Sequence, residues 1–274
     1  MIWLDIEPLC VELVSYDGIF VNGCSNMKSD EAYMMALDIV AKSKADMLVF
    51  GGGLLSKKRN LNIFKKDLEK MGIMKELVIV VEVSDEGSSV WSKGTYYNCI
   101  HILYCKNGMV GERGVMPAQL FSSSEELANM YCRKELMEKL YMKMQTNIFV
   151  VKGRRCCVLQ CGEINFLEGR DSVRVRGNGS EGYVEGINTM VERDVDVFLN
   201  VIHTPMGEQG VLQSKWRWLS ENNRGCFAVC NSGESVSSLE SLSSLQYGFR
   251  DGDSVKGIIT PYSNEDVITR VYTI

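Results

Sequence analysis

The chain has 274 residues, with 30 lysines and arginines against 35 aspartates and glutamates, ten cysteines and only two histidines. That length suits one large domain or two small ones, and a net charge of −5 with both signs interspersed gives no basic footprint for nucleic acid. The longest apolar runs fall far short of the ~18 residues of a membrane helix, and Met1-Ile2-Trp3-Leu4-Asp5 lacks the basic start of a secretory signal. The expectation is therefore a soluble, cytoplasmic chain with no membrane partner and with reduced thiols. C-x-x-C pairs are missing and His101 and His203 are the sole imidazoles, so no metal centre and no other cofactor is expected.

Strand-like and helix-like segments alternate. Asp30 to Lys42 carries a helical apolar stripe, with Ser29 or Asp30 placed to cap it. Met47-Leu48-Val49-Phe50 reads as a short strand ending in Gly51-Gly52-Gly53. An amphipathic stretch from Leu61 to Met71 ends at Gly72, and Leu77 to Val81 is a β-branched run suited to a strand buried on both faces. Tyr96 to Tyr104 and Met109-Val110, joined through Asn107-Gly108, predict a hairpin. Ser123 stands three residues ahead of Glu126, a capping-box spacing that predicts a helix through about Met142.

The second half continues in the same manner. Strand Cys156 to Cys161, helix Tyr183 to Glu192 and strand Val195 to Val201 are followed by helix Val211 to Asn222 and strand Cys226 to Asn231. A last strand falls near Val267 to Tyr272, whereas Ser232 to Ser254, rich in serine and glycine, reads as a mobile loop. The chain shows no internal repeat and no proline-rich linker, so one α/β domain over residues 1–274 is the economical reading.

One cysteine stands apart from the rest. Cys161 closes an apolar strand, where α/β sheets present reactive groups and the following turn offers backbone N–H groups to an oxyanion. Nine of the ten thiols read as small apolar packing residues.

Around Cys161 the sequence resembles the nitrilase, or carbon–nitrogen hydrolase, superfamily. Cys161-Gly162-Glu163-Ile164-Asn165-Phe166-Leu167-Glu168 matches that family's nucleophile motif except for a proline. Ala45 to Phe50, Tyr97-Asn98 with Asn107 to Val110, Asp194 to Val201 and Gly225 to Asn231 resemble its flanking segments, in the family's order. The resemblance implies a four-layer α-β-β-α sandwich that self-associates as a homodimer or larger. It also implies a glutamate base, a lysine for the oxyanion and a cysteine that attacks an amide.

Two of those three residues are replaced. The family's glutamate should fall two residues after Phe50, where this chain has Gly52, and a missing positioned base typically costs ~10²–10⁴ in rate. Arg113, in Arg113-Gly114-Val115-Met116-Pro117, takes the place of the lysine, with a planar fork instead of a point charge. Glu163 is the remaining acid; the resemblance implies a structural role, paired with Arg217 or Arg224. His203 ends the strand expected beside Cys161 and is a substitute base, unless it is merely bonded locally. The candidate catalytic set is thus Cys161, Arg113 and Glu163. The favoured function is a non-hydrolytic or weakly active member that binds a small amide or carboxylate. The alternative is an active amidase or acyl transferase working through a Cys161 thioester.

Overall fold

Two sheets of apolar strands pack face to face, and helices cover the outer side of each. The computed structural model describes residues 7–16, 29–55, 58–83, 98–113, 119–121, 123–128, 130–177, 181–203, 209–231, 244–264 and 266–274. In chain order the first half comprises β1 (Cys10–Tyr16), α1 (Ser29–Lys42), β2 (Met47–Phe50), α2 (Lys58–Met71), β3 (Leu77–Val83), β4 (Cys99–Lys106) and β5 (Met109–Arg113). Helix α3 (Met130–Thr146) leads to β6 (Phe149–Val151), β7 (Arg154–Gln160), a 3-10 turn over Cys161–Phe166, and the short pair β8 (Leu167–Glu168) and β9 (Arg174–Val175). Then follow α4 (Gly182–Thr189), β10 (Val197–Ile202), α5 (Gln209–Ser220), β11 (Gly225–Cys230), β12 (Gln246–Arg250), β13 (Asp253–Ser254), β14 (Ile258–Ile259) and β15 (Val267–Thr273).

The two sheets share one plan. In the first, β1, β2 and β3 run parallel, flanked by antiparallel β15 and β4. In the second, β7, β10 and β11 run parallel, flanked by antiparallel β6 and β12. Parallel neighbours require crossovers, which α1, α2, α4 and α5 supply.

Side-chain alternation explains why these strands read as unbroken apolar runs. Met47, Val49, Val78 and Val80 face Val158, Leu199 and Val229 between the sheets. Leu48, Phe50, Ile79 and Val81 face the other way, onto Ala36, Phe64 and Leu68 of α1 and α2. Cys157, Leu159 and Phe198 likewise meet Leu140, Ile187 and Trp216 of α3, α4 and α5. Three apolar layers therefore separate four layers of structure, a four-layer α-β-β-α sandwich. Among the described residues no helix is long and apolar enough to cross a membrane.

Several elements differ from the sequence expectation. β1 escapes notice in sequence because Glu12 and Ser15 interrupt it, yet both are buried with partners: Ser43 donates to Glu12 at 2.6 Å and Gln246 to Ser15 Oγ at 3.2 Å. The stretch read as a mobile loop contains β12, which pairs with β11 and carries the buried Gln246 across to the carbonyls of Leu13 and Ile268, both at 3.0 Å. Residues 232–243 of that stretch lie outside the described residues, as do Tyr96, Tyr97 and the side chains of Ser29 and Asp30. The Glu126 N–H does reach Ser123 Oγ at 3.4 Å, but the turns there precede α3 instead of opening it. The hairpin turns at Asn107 and Gly108, with φ of 51° and 75°, the paired left-handed conformation that a two-residue turn between twisted strands requires.

Candidate active site

The candidate residues converge because the parallel strands of both sheets end on the same side. Gly52 follows β2, Glu82 lies near the end of β3, Cys161 follows β7, His203 follows β10 and Asn231 follows β11. Carboxyl ends of parallel strands are where open α/β sheets hold their ligands. The two ends are stitched together: the Gly52 N–H donates to the Ile202 carbonyl at 3.0 Å, and Asn231 Nδ2 donates to the Gly52 carbonyl at 2.8 Å. Asn231 Oδ1 accepts from the Tyr16 N–H at 3.0 Å, so one side chain joins β1, β2 and β11.

Cys161 occupies a strained position. Its φ is +38°, in the left-handed region that a residue with a Cβ rarely adopts, and such strain persists only where the surroundings enforce it. Asn200 supplies that enforcement, donating to the carbonyls of Leu159 and Cys161 at 3.2 Å each, and is itself fixed by Trp216 Nε1 at 3.0 Å. Glu163 braces the turn from below. Its carboxylate accepts from the backbone N–H groups of Gln160 (3.0 Å) and Leu120 (2.9 Å) and from Lys143 Nζ (2.7 Å). The partner is thus Lys143 of α3, not Arg217 or Arg224 as the sequence suggests. Arg217 lies over the Phe249 ring, and Arg224 donates to the Leu219 carbonyl.

The space beside Gly52, where the sequence reading expects a glutamate, is filled from elsewhere in the chain. A Cβ on Gly52 would stand 2.8 Å from Glu82 Oε2, 2.9 Å from His203 Cδ2 and 3.2 Å from His203 Cα. Glu82 is wholly buried, its Oε1 accepting from Gln160 Nε2 at 3.2 Å. Its Oε2 lies 2.6 Å from His203 Nε2, an ion-pair contact. Asn98 stands 2.7 Å from the same nitrogen through its amide, while its Oδ1 has no partner. With the amide turned over, that oxygen accepts the Nε2 proton.

His203 also hydrogen-bonds Cys161. Burial lowers the pKa of its imidazole, but the Glu82 carboxylate and the Cys161 sulfur outweigh that and hold it well above the ordinary histidine range. Cysteine, histidine and an orienting amide or carboxylate form a nucleophile–base–orienter constellation, recognised by geometry and not by chain order.

Arg113 is placed differently. It pairs with Ile102 in β5, and its Nη2 donates to the Thr146 carbonyl at 3.2 Å. It is not among the described residues that line the cavity at Cys161; residues 114–118 lie outside the described residues.

That cavity is about 550 Å³. Ile164, Ile202 and Leu212 give it an apolar wall, and Arg176 and Lys215 a cationic one. Lys215 is buried, donates to Asn165 Oδ1 at 2.8 Å, and has its pKa lowered to about 8 by burial and then by Arg176. The sequence reading missed Glu82, Asn98 and Lys215. Glu82 did carry a signal, as the one carboxylate within a strand otherwise made of leucine, valine and isoleucine.

No family model matches the chain, and no curated protein matches it in sequence. Solved structures do match in fold. An amidase from Nesterenkonia sp. AN1, bearing an acetamide adduct on its active-site cysteine, superposes with a TM-score of 0.55 at 9% identity, over 97% of this chain and 90% of that one. A carbon–nitrogen hydrolase superfamily protein from Xanthomonas campestris, with an arsenic adduct in its active site, gives 0.52 at 13% identity, over 98% and 91%. A glutamine-dependent NAD(+) synthetase from Cytophaga hutchinsonii gives 0.52 at 10% identity, and there the chain covers 43% of the length. The chain has the nitrilase-type fold.

Proposed function

We propose that the chain is a cysteine-dependent carbon–nitrogen hydrolase or acyl transferase of the nitrilase superfamily, in which His203 replaces the family's glutamate. The observation that carries this reading is the position of His203, bonded to Cys161 and seated with Glu82 in the volume a side chain at residue 52 would need. The sequence alone favours a non-hydrolytic protein because Gly52 offers no base; an imidazole in that space restores one.

The chemistry follows from the contacts. His203 accepts the Cys161 proton, and the imidazolium beside the sulfur stabilises the thiolate. The sulfur attacks the amide carbonyl, forming the C–S bond. The C–N bond then breaks as His203 returns the proton to the leaving amine. Water or an acceptor amine, deprotonated by the same imidazole, releases the acyl group and regenerates the thiol. Glu82 and Asn98 act as positioning residues that hold the ring and stabilise its charged form.

Intact-mass spectrometry with activated amides and esters tests the reading. A burst of acylation, absent in Cys161→Ala, is expected; adduct formation no faster than that of free cysteine would return the preference to a binding protein. The expected self-association belongs to the same proposal, and light scattering on the eluted protein tests it.

A further inference from the structure

Lys215 presents an electrostatic problem that the proposed mechanism leaves unsolved. Its residue is 4% exposed, yet among the described residues the partner of its ammonium is a neutral one, Asn165 Oδ1. The charge it senses most is another cation, Arg176. Arg176 pairs with Glu168, a carboxylate of the cavity wall, at 3.4 Å, and that carboxylate also accepts from Arg174 at 3.0 Å. Among the described residues, Arg170, Arg176, Lys215 and the carboxylate of Glu168 line the cavity, and Lys215 is the buried cation with no ion pair to a carboxylate. A buried ammonium with no counter-ion carries a heavy desolvation cost, and an anionic ligand removes it.

Lys215, Arg176 and Cys161 line the same cavity, together with Ile164, Ile202 and Leu212. Asn165 ties the two cations together, accepting from Lys215 with its side chain and from Arg176 Nε with its carbonyl at 3.3 Å. It lies four residues beyond Cys161 on the turn that Cys161 opens, so the contact point of both cations and the sulfur share one short segment.

We infer that the cavity takes an amide whose acyl part bears a carboxylate, seated on Lys215 and Arg176, with a short aliphatic link placing the scissile carbonyl at Cys161. This rests on the proposed function for the reacting end of the substrate but not for the anion site itself. A carboxylate beside Lys215 supplies the missing counter-charge. Its binding is tightest below pH 8, where the ammonium is charged, and weakens as the pH rises beyond that.

The test separates the two claims. Succinate and the neutral succinamide are titrated calorimetrically into Cys161→Ala, which removes turnover but leaves both cations. Succinate is expected to bind at least about tenfold more tightly at pH 7, with the advantage shrinking towards pH 9.5 and falling about tenfold in the Lys215→Gln, Cys161→Ala double variant. Equal affinities for the two probes overturn the inference without recourse to any lysine variant, and so does a succinate affinity that Lys215→Gln leaves intact while circular dichroism stays native. A succinate preference without acylation of the wild type keeps the anion site and removes the mechanism. Acylation without a succinate preference does the reverse.

Discussion

Gly52→Ala places the smallest possible side chain where the resemblance leads one to expect a glutamate. Gly52 does not have a positive φ, so backbone conformation does not exclude alanine there; space alone does. The new Cβ would meet Glu82 Oε2 at 2.8 Å, His203 Cδ2 at 2.9 Å and the His203 Cα at 3.2 Å. The last of these is backbone, held by the Gly52 N–H bond to Ile202, and cannot swing away. Overpacking of this kind typically costs ~1–3 kcal/mol. At roughly 2–4 °C of melting temperature per kcal/mol for a chain near this size, the melt falls by a few degrees. Because the overlap falls on both members of the ion pair, acylation at Cys161 falls further than stability does. Thermal melts by circular dichroism and acylation rates by mass spectrometry measure the two effects on the same sample. An unchanged melt together with an unchanged rate would refute the claim that His203 and Glu82 fill this volume. Gly52→Glu extends the test: the larger side chain should abolish acylation, and a gain would show that the slot is open.

Four further outcomes follow from named contacts. Lys143→Met leaves the buried Glu163 without its counter-charge and should cost ~3–5 kcal/mol in urea unfolding, whereas the Lys143→Met, Glu163→Gln pair should cost less than the sum of the singles. Asn231→Ala orphans the Tyr16 N–H and removes a donor from the Gly52 carbonyl, a loss of roughly 2–4 kcal/mol by the same assay. Because His203 is raised above its unfolded pKa, its contribution is fully present below about pH 6.5 and is lost as pH climbs through the folded value; the stability margin of wild type over His203→Gln should shrink from pH 6 upward in urea titrations. Arg113→Ala removes a half-exposed bond to the Thr146 carbonyl and should leave the acylation rate within about threefold of wild type.

The strands were legible in sequence wherever both faces are apolar, as at Leu77–Val83 and Val197–Ile202. The turn at Asn107-Gly108 was legible because only a few residue types adopt its conformation. β1 and β12 were hidden by polar residues that look like surface in sequence and become interior only through partners far along the chain, Ser43 for Glu12 and Leu13 for Gln246. The site divides along the same line. Cys161 announces itself locally, through strand, turn and motif. His203, Asn98 and Glu82 act as a group only because the carboxyl ends of the two sheets meet, and no local spacing encodes that meeting. Glu163 found its partner on α3 because Lys143 is on the helix face that packs against β7, a choice between helix faces that the family pattern did not reveal.

The dependence of Cys161 acylation on His203 tests the central claim most directly. Second-order rates with one activated ester are compared by intact-mass spectrometry for wild type and His203→Gln, with Cys161→Ala as the blank. A fall of ~10²–10⁴ in His203→Gln is predicted, the usual contribution of a positioned acid–base group. Equal rates in the two proteins would contradict the account and leave Cys161 a buried thiol at the end of a strand.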